Sequence, residues 1–363
     1  MRVLVVTPWL PSKSSPVYAP FIANDVTLLQ DSHEVIVLHL GADVSHETEE
    51  KWGRNRVVRV PFDHTKPHTW LHAVQTVRRY LRGADLIHSM ALPALLPVCL
   101  SGVRIPWVHT EHYGMLLAQD LTSRQERAVA MLKKLLRFPT EVVVVSQALA
   151  GVVDRLRERP AAIIENHVAV VSNETRGDTL ALSPEGAISM VAVGNLIDSK
   201  GPLVAVDALA ALRAKGYSAH LTWVGSGPLQ AEVERYATAR GVDSHLSMPG
   251  PIAPDRLGKE LLKHNVFVLP TKHETFGVAL AEALGHGLPV VASGSGGHLS
   301  FLPPQGSRWV QDRTGEAIAN AIISLASDPH RMTSQQLIDY ASARFSNFAR
   351  EEAYRAVYKA ALR

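Results

Sequence analysis

The sequence predicts an α/β fold with two doubly wound parallel sheets in tandem. Short apolar, β-branched runs alternate with helix-length segments, which is typical of parallel sheets. The alternation stops in a polar stretch, Ser172 to Gly186, and then restarts. At 363 residues the chain is long enough for two domains. We therefore expect two Rossmann-like sheets that face each other across a cleft, with ligands at the carboxyl ends of the strands.

The composition is that of an ordinary globular protein. Hydrophobic residues make up 46% and charged residues 20% of the chain, which excludes an intrinsically disordered polymer. Residues 1–6 lack the features of a signal peptide, and no apolar run reaches the ~18 residues that a membrane span needs. The single cysteine, Cys99, excludes an internal disulfide and fits a reducing compartment. We predict a cytoplasmic protein.

The first domain is predicted over residues 1–171, followed by a linker over residues 172–186. Its strands are expected at Val3–Val6, Val35–Leu38, Val57–Val60, Leu86–His88, Trp107–His109, Val142–Val145 and Ala162–Ile164. Helical patterns lie near residues 20–30, 68–82, 91–101, 121–137 and 147–158. Strands that alternate with helices through short connections predict a parallel sheet.

The second domain is predicted over residues 187–335, and residues 336–363 are expected to be helical. Strands are expected at Ile188–Val193, Leu221–Val224, Val266–Leu269 and Leu288–Ala292. Helices are expected from Pro202, over residues 228–240 and over Val278–Leu284. The residues with binding chemistry lie where these strands end.

Two glutamates, Glu274 and Glu282, are the strongest functional signal. Glu274 lies in the loop after a strand, and Glu282 lies within a helix whose other residues are all apolar. Such a helix is buried, and a buried carboxylate is costly unless a partner meets it. Ligand hydroxyls would be suitable partners. Alternatively, Glu282 meets a core arginine or backbone amides, and Glu274 only favours a helix N-terminus.

The stretch HETFGVALAEALGHGLPVVAS, which contains both glutamates, resembles the E-x7-E signature of a known family. It is similar to the retaining nucleotide-sugar glycosyltransferases of family four, the group 1 glycosyl transferases, which have GT-B architecture. The resemblance implies that Glu274 contacts the donor sugar and Glu282 the ribose. It also implies that the backbone of Thr275, Phe276, Gly277 and Val278 faces sugar and phosphate, and that the C-terminal helical segment crosses back to the first domain.

Three further strand ends in the second domain are donor-site candidates. Lys200 opens a helix next to a glycine, which suits an anion held by amides and a positive charge. The resemblance makes Lys200 the lysine that grips the diphosphate, with Asn195 where the family usually has arginine. Gly225 and Gly227 form a turn without the third glycine of a dinucleotide fingerprint, which argues against a nicotinamide enzyme. The loop from Ser247 to Ile252, with Pro251, matches the region whose backbone contacts the base.

In the first domain the segment Thr110-Glu111-His112 resembles the family's T-x-H, which implies that His112 approaches the donor sugar. Alternatively, His109, Glu111 and His112 hold a metal, although adjacent residues at a strand end converge poorly. His88, at another strand end, is an acceptor-site candidate. Ser14, Ser15 and Pro16 stand where the family usually has paired glycines, and they are a further candidate for a phosphate or acceptor loop.

The reaction that the resemblance implies is transfer of a sugar, with retention, from a nucleotide-diphosphate sugar to an alcohol. No Asp-x-Asp occurs in the sequence, so we predict that fixed charges, not a metal or other cofactor, stabilise the leaving group. A UDP-sugar and a GDP-sugar both fit, because backbone contacts to the base leave no side-chain signal. Two other classes stay open, namely a GT-B sugar-nucleotide epimerase and a non-catalytic sugar-nucleotide-binding protein.

Charge is distributed unevenly, although the net charge is only +3. Residues 51–138 contain fourteen Lys and Arg against five Asp and Glu. Within them, the segment from Ser123 to Phe138 is a basic amphipathic helix. One interpretation is a lipid-linked acceptor and peripheral contact with the inner face of an anionic membrane. The other is a solvated helix face over an ordinary core. Neither involves nucleic acid.

Overall fold

The computed structural model describes residues 1–12, 19–63, 66–118, 122–170 and 187–363. The chain divides into two compact units, one formed by Met1–His167 with Asn347–Arg363 and the other by Val168–Ser346. The predicted loop residues Ser14, Ser15 and Pro16, and the predicted linker over residues 172–186, lie outside the described residues.

The first unit is built on one central sheet. Its strands are β1 (Arg2–Thr7), β2 (Glu34–Gly41), β3 (Thr48–Trp52), β4 (Asn55–Pro61), β5 (Leu86–Met90), β6 (Trp107–Glu111), β7 (Glu141–Val144) and β8 (Ala162–Ile163). Their order is β3-β4-β2-β1-β5-β6-β7-β8. Chain order reverses between β1 and β5, so the sheet is doubly wound, as predicted.

The edge strand β3 was not predicted, and it runs antiparallel to β4, whereas the other pairs are parallel. Its sequence, TEEKW, has no apolar periodicity, because its side chains are mainly solvent-exposed. Cross-strand charges stabilise it instead. The Arg56 guanidinium lies 2.6 Å from the Glu49 carboxylate, and Arg59 lies 2.7 Å from Glu50.

Helices cover the first sheet. They are α1 (Pro20–Gln30), α2 (Trp70–Leu81), α3 (Leu95–Leu100), α4 (Ser123–Leu132) and α5 (Gln147–Val153). The central strands are buried on both faces, which explains the continuous apolar run from Val3 to Val6.

The second unit repeats the design. Its main sheet has the order β11-β10-β9-β12-β14-β16, all parallel, and β13 pairs separately with β15. The strands are β9 (Ile188–Val193), β10 (Ala219–Val224), β11 (Leu246–Gly250), β12 (Val266–Leu269), β13 (His273–Glu274), β14 (Val290–Ser293), β15 (Ser295–Gly296) and β16 (Ser307–Val310). The helices are α6 (Pro202–Ala214), α7 (Gln230–Ala239), α8 (Pro254–Leu261), α9 (Val278–Gly285), α10 (Gly315–Ala326) and α11 (Ser334–Phe345). The predicted α/β fold class is therefore confirmed in each unit.

The last helix, α12 (Asn347–Ala361), belongs to the first unit. Its buried residues Tyr354, Val357 and Tyr358 join the same apolar cluster as Val3 and Ile22. The first unit is thus built from two stretches that are far apart in sequence. Among the described residues no helix combines the length and the apolar content that a membrane span requires.

Candidate active site

In the second unit, chain order reverses between β9 and β12, which lie side by side. Ligands of open α/β sheets bind at such a switch point, beyond the carboxyl ends of the strands. Val191 of β9 pairs with Phe267 of β12, so the loops that follow the two strands leave the sheet at the same edge. Lys200 lies in the first loop and Glu274 in the second.

Hydrogen bonds connect these two loops. The Ser199 carbonyl accepts from the Thr271 hydroxyl at 3.0 Å and from the Lys272 amide at 2.7 Å. The Arg313 guanidinium donates to the Pro270 carbonyl at 2.6 Å and also to the Asp198 carbonyl. Arg313 was not predicted, because it lies in a loop between β16 and α10 without a local motif. Its bonds fix the backbone that carries Lys200.

Gly201 allows the close approach of the two loops. Its φ is 76°, and a Cβ there would lie 2.1 Å from the Pro270 carbonyl oxygen. Any other residue would therefore force the loops apart. For the same steric reason Gly225 and Gly227 permit the loop after β10 to lie against the backbone of Gly194 and Leu196. In this structure the glycines serve packing of the strand-end loops, which is a role that sequence spacing alone does not reveal.

Lys200 and Glu274 form an ion pair, with 2.5 Å between Nζ and Oε1. The Lys200 side chain is 26% exposed and that of Glu274 is 9% exposed. Partial burial strengthens the attraction, because less water screens it. An ammonium and a carboxylate at one strand edge can bind an anionic group and a hydroxyl group, respectively.

Glu282 lies on the partly exposed face of α9, one helical turn after Val278. Among the described residues no group donates a hydrogen bond to its carboxylate or forms an ion pair with it. The residue keeps some contact with water, yet desolvation of the carboxyl group raises its pKa to about 7. An unpartnered carboxylate with this pKa is suited to meet a ligand hydroxyl.

The segment between the two glutamates forms the start of α9. Gly277, with φ at 93°, is the N-cap, so the amides that follow it are open to an anionic ligand. Thr275 is half-buried, whereas the Phe276 ring packs at 4.8 Å from Phe301 in the core. Phe276 can therefore meet a ligand through its backbone only.

The remaining donor-site candidates are on other strand ends. Asn195 follows β9 and is exposed. Pro251 follows β11 and is also exposed. The segment before it, predicted as a loop, is partly strand, because β11 extends through Gly250. The structure thus places both residues at the carboxyl edge of the sheet.

His298 is a residue that the sequence did not single out. It is fully buried, and among the described residues neither ring nitrogen has a hydrogen-bond partner of normal geometry. A Cβ built at Gly277 would lie 3.2 Å from the His298 Cβ, so the imidazole is next to the start of α9. Burial lowers its pKa, which keeps it neutral at pH 7. The feature of the sequence nearest to it is the glycine pair Gly296-Gly297.

In the first unit His112 directly follows β6 and is almost enclosed. Its Nε2 lies 3.5 Å from an oxygen of the buried Asp25 on α1. Its ring also packs at 4.9 Å from the Phe21 ring. Asp25 was not predicted, because a single aspartate in a helix carries no motif.

The three residues considered for a metal do not converge. The Glu111 carboxylate accepts from the amides of His112 and Tyr113 at 2.8 and 2.7 Å, and it contacts His109 at 3.2 Å. The His112 ring instead faces Asp25. Across the part of the chain that the structure describes, no group of three His, Cys, Asp or Glu side chains has an arrangement suited to a metal ion.

His88, the acceptor-site candidate on β5, is enclosed within the unit. Its two ring nitrogens are hydrogen-bonded to the hydroxyls of Tyr358 at 2.8 Å and Thr110 at 2.7 Å. Burial lowers its pKa to about 3. Its ring nitrogens are therefore occupied by the protein, and its role in this structure is to join α12 to the sheet.

A cavity of about 390 Å³ lies at the carboxyl ends of β1, β2 and β4. Aromatic rings and carboxylates share its wall, among them Trp9, Phe62, Tyr113, Asp43 and Asp63. The rings of Trp9 and Tyr113 are 5.7 Å apart. Such a lining suits a ligand with an apolar face and several hydroxyls.

The positive charge of residues 51–138 is partly neutralised by acidic residues that come just before this segment in sequence. Glu49 and Glu50 pair with Arg56 and Arg59, and Glu47 pairs with Arg79. The cations of α4 and of the 3-10 helix that follows it, Lys133–Arg137, differ, since none has an ion pair among the described residues. These cations are Arg124, Arg127, Lys133, Lys134 and Arg137.

Two doubly wound α/β units of this kind define the GT-B class of fold. The chain belongs to the group 1 glycosyl transferases of family four. The family model described as "Glycosyl transferases group 1" matches residues 181–344, and that described as "Glycosyltransferase Family 4" matches residues 26–172. Glu274 and Glu282, the two glutamates of the E-x7-E stretch, both lie within the first match.

Individual relatives agree with this assignment. One is the GDP-mannose-dependent alpha-(1-6)-phosphatidylinositol dimannoside mannosyltransferase of Mycobacterium tuberculosis, 35% identical over 40% of this chain and 37% of that protein. Sucrose-phosphate synthase from Thermosynechococcus elongatus has a TM-score of 0.77 at 19% identity, covering 99% and 98% of the two chains. Anabaena HepE in complex with UDP and glucose has a TM-score of 0.77 at 17% identity, covering 99% of each chain. At these identities the solved structures support the fold alone.

Proposed function

We propose that the protein is a metal-independent, retaining glycosyltransferase that moves a sugar from a nucleotide-diphosphate sugar to an alcohol. The observation that carries the proposal is the Lys200–Glu274 ion pair at the switch point of the second sheet, together with the unpartnered Glu282. Family membership supports the same class of reaction. The chain aligns with 37% of the length of the mycobacterial mannosyltransferase, so the substrates of that enzyme support a proposal for this protein and no more.

In the proposed roles, Lys200 binds the diphosphate and Glu274 a hydroxyl of the transferred sugar. The amides at the start of α9 add positive potential for the leaving group. Glu282 binds the ribose, and Pro251 lies near the base. The reaction breaks the bond between the anomeric carbon and the phosphate oxygen, and it forms the new glycosidic bond on the same face. Because the acceptor oxygen itself attacks the anomeric carbon on the face from which the phosphate leaves, no carboxylate nucleophile is required, and the acceptor proton passes to the leaving phosphate.

The donor is proposed to be a UDP- or GDP-sugar. The mycobacterial relative is GDP-mannose-dependent by name, and the solved HepE structure holds UDP. These relatives support a nucleoside diphosphate as the common element. His112 of the first unit is the side chain that we propose to meet a hydroxyl of the transferred sugar.

The acceptor is proposed to be a hydroxylated ring that binds through the first unit. The cavity with Trp9, Tyr113, Asp43 and Asp63 has the lining for a ring with an apolar face and hydroxyl groups. A lipid-linked form of this acceptor is supported by the unpaired cations of α4 and by Met131 and Phe138, each 53% exposed beside them. A basic surface with exposed apolar side chains suits an anionic membrane.

The test is a screen of purified protein for donor hydrolysis and transfer with UDP-, GDP- and ADP-sugars. Turnover of one donor, with retained anomeric configuration in the product by NMR spectroscopy, would support the proposal. Binding of a donor without turnover would favour a non-catalytic binding protein. Conversion of the donor to an epimer without an acceptor would favour an epimerase.

A further inference from the structure

The His112 side chain lies at the end of a buried polar connection that begins on α12. Arg350 of α12 forms an ion pair with Asp25 Oδ1 on α1. The Tyr354 hydroxyl donates to Asp25 Oδ2 at 3.3 Å, and His112 Nε2 lies 3.5 Å from the same oxygen. The Asp25 and His112 side chains are 0% and 2% exposed, and that of Arg350 is 4% exposed.

Asp25 is charged despite its burial. Burial alone would raise the pKa of its carboxyl group, but the charge of Arg350 and the contact with His112 outweigh this and lower it to about 2. A permanent carboxylate therefore faces His112 Nε2. The contact is slightly longer than a hydrogen bond, as contacts of active-site groups often are before a ligand binds.

A carboxylate beside an imidazole nitrogen selects the tautomer. A proton on Nε2 is attracted by Asp25, whereas a lone pair on Nε2 would be repelled. With the proton on Nε2, Nδ1 of the neutral ring carries the free lone pair. Among the described residues Nδ1 is buried and has no hydrogen-bond partner. The Phe21 ring, 4.9 Å away, limits rotation of the imidazole.

We propose that Asp25, held by Arg350 and Tyr354 of α12, is a positioning residue that fixes His112 as the Nε2–H tautomer and so leaves the lone pair of Nδ1 to accept from a substrate hydroxyl. The identity of that hydroxyl rests on the proposed function, whereas the contact between Asp25 and His112 does not. The last helix of the chain thereby takes part in the chemistry of the first unit without touching substrate.

The role of Arg350 follows from the same geometry. It occupies Oδ1, which leaves Oδ2 for His112 and Tyr354. It also keeps Asp25 from taking the imidazole proton, since a carboxyl group with so low a pKa is a weak base. Tyr354 sets the angle of the carboxylate through its hydroxyl.

The tautomer is tested by long-range ¹H–¹⁵N NMR spectra of the ligand-free protein. The signal of His112 is assigned by its loss in His112→Gln, since the chain has 17 histidines. The wild type should show the Nε2–H form. Asp25→Asn should raise the share of the Nδ1–H form, and Tyr354→Phe should do so to a smaller degree. Nδ1–H in the wild type, or a spectrum unchanged by Asp25→Asn, would overturn the proposal.

Glu351→Gln is the matched control. Glu351 is the neighbour of Arg350 on α12, and its carboxylate accepts from the hydroxyl of Ser32, in the turn after α1, at 3.0 Å, away from Asp25. Loss of that contact should leave the His112 signal unchanged. A shift as large as that of Asp25→Asn would mean that general loosening of α12, not the facing carboxylate, determines the tautomer, and would overturn the proposal.

The second test is a double-mutant cycle on transfer. Asp25→Asn should lower kcat on the order of tenfold or more, with little change in the donor KM. In the His112→Gln background the same substitution should cost nothing further. An equal loss in both backgrounds would show that Asp25 acts through overall structure, which contradicts the proposal. If Asp25→Asn fails to fold, Tyr354→Phe takes its place in the cycle. A wild-type protein that transfers no sugar would contradict the proposed function, while the tautomer spectra would still decide the role of Asp25.

Discussion

The ammonium group of Lys200 lies 2.5 Å from a carboxylate oxygen of Glu274, although the two residues are 74 positions apart in sequence. Without ligand each group neutralises the other. A diphosphate that binds Lys200 must therefore compete with Glu274, and a sugar hydroxyl must offer Glu274 a replacement. In the proposed mechanism the nucleotide and the sugar each take one member of the pair.

This relationship predicts that transfer and nucleotide binding respond differently to Glu274→Gln. Transfer should fall at least tenfold, because a charge-assisted hydrogen bond of ~1.5–3 kcal/mol to the sugar is lost. The nucleoside diphosphate alone should bind at least as tightly as before, since Lys200 is free of its partner. Lys200→Met should weaken that binding on the order of tenfold. Calorimetry measures the binding of the nucleoside diphosphate, and a transfer assay measures the rate of sugar transfer. Glu316→Gln, which breaks the exposed Lys215 pair, is the control. Weaker nucleotide binding by Glu274→Gln would contradict the assignment.

Glu282→Gln should lower transfer at least tenfold and at the same time stabilise the protein at pH 8. In the unfolded chain the carboxyl group ionises near its ordinary pKa of 4.5, whereas in the folded protein its pKa is about 7. Between these values the folded state keeps a proton that the unfolded chain has released, so the free energy of unfolding falls as pH rises. Glutamine removes this loss, which we expect to be about 1–2 kcal/mol because part of the residue contacts water.

Urea unfolding of the wild type and Glu282→Gln at pH 4 and pH 8 checks this. The difference in stability should appear at pH 8 and largely vanish at pH 4. A variant that is less stable than the wild type at pH 8 would show that a protein group, not a ligand, satisfies Glu282.

His88 should make the protein less stable in mild acid. Its pKa of about 3 in the folded protein lies below the ordinary histidine pKa of 6.5, so on acidification the unfolded chain binds a proton that the folded state does not. The contribution of His88 is complete above pH 6.5 and is lost as pH falls toward 3, with a slope of up to ~1.4 kcal/mol per pH unit. His88→Gln should flatten the dependence of unfolding free energy on pH between 6.5 and 4.5. Equal slopes for variant and wild type would contradict the assignment.

Activity should survive excess EDTA. The sequence has no Asp-x-Asp to hold a metal ion. Lys200 and the first amides of α9 are instead proposed to supply fixed positive charge for the leaving group. The test compares initial transfer rates before chelation, after chelation, and after addition of Mg²⁺ or Mn²⁺. Activity that disappears with EDTA and returns with the metal would show that the leaving group needs a metal ion.

The basic surface of α4 should bind anionic vesicles. Each surface cation contributes about 1 kcal/mol near an anionic membrane, so Arg124→Gln with Arg127→Gln should weaken binding roughly thirtyfold at low salt. The matched double variant, Arg56→Gln with Arg79→Gln, removes the same charge from residues paired with Glu49 and Glu47. Co-sedimentation with phosphatidylglycerol and neutral vesicles, at low and raised salt, measures the difference. Equal, negligible binding of the wild type to both vesicles would remove the membrane contact and favour a small acceptor.

The fold was largely predictable because the central strands are apolar and β-branched, as in Val3–Val6 and Val266–Leu269. Their periodicity reflects burial on both faces, which is a local property of the sequence. The edge strand β3 escaped prediction because ion pairs, not apolar contacts, stabilise it. β11 was predicted as a loop for a related reason, since none of its side chains is buried.

In the candidate site, too, residues with a local sequence pattern could be predicted, and residues that depend on tertiary contacts could not. Lys200 and Glu274 could be proposed from the sequence because glycine turns and a short motif accompany them. Asp25, Arg313 and His298 were missed, because their importance comes from tertiary neighbours. Asp25 meets Arg350 across 325 positions, and neither residue has a local pattern. His88 shows the opposite case, since a strand-end position suggested a ligand contact where Tyr358 and Thr110 occupy both ring nitrogens.

The assignment of α12 to the first unit has a consequence for how the protein is made. As the chain leaves the ribosome, Asp25 is exposed long before Arg350 exists, and a buried carboxylate without its cation is strongly destabilising. The intervening Val168–Ser346 is translated in between, which takes on the order of ten to forty seconds. The second unit, whose residues are contiguous, can therefore complete its fold while the first still waits for its last helix. A nascent chain stopped before Asn347 should expose the apolar cluster around Val3 and Ile22 to chaperones, even though every strand of its sheet has been synthesised.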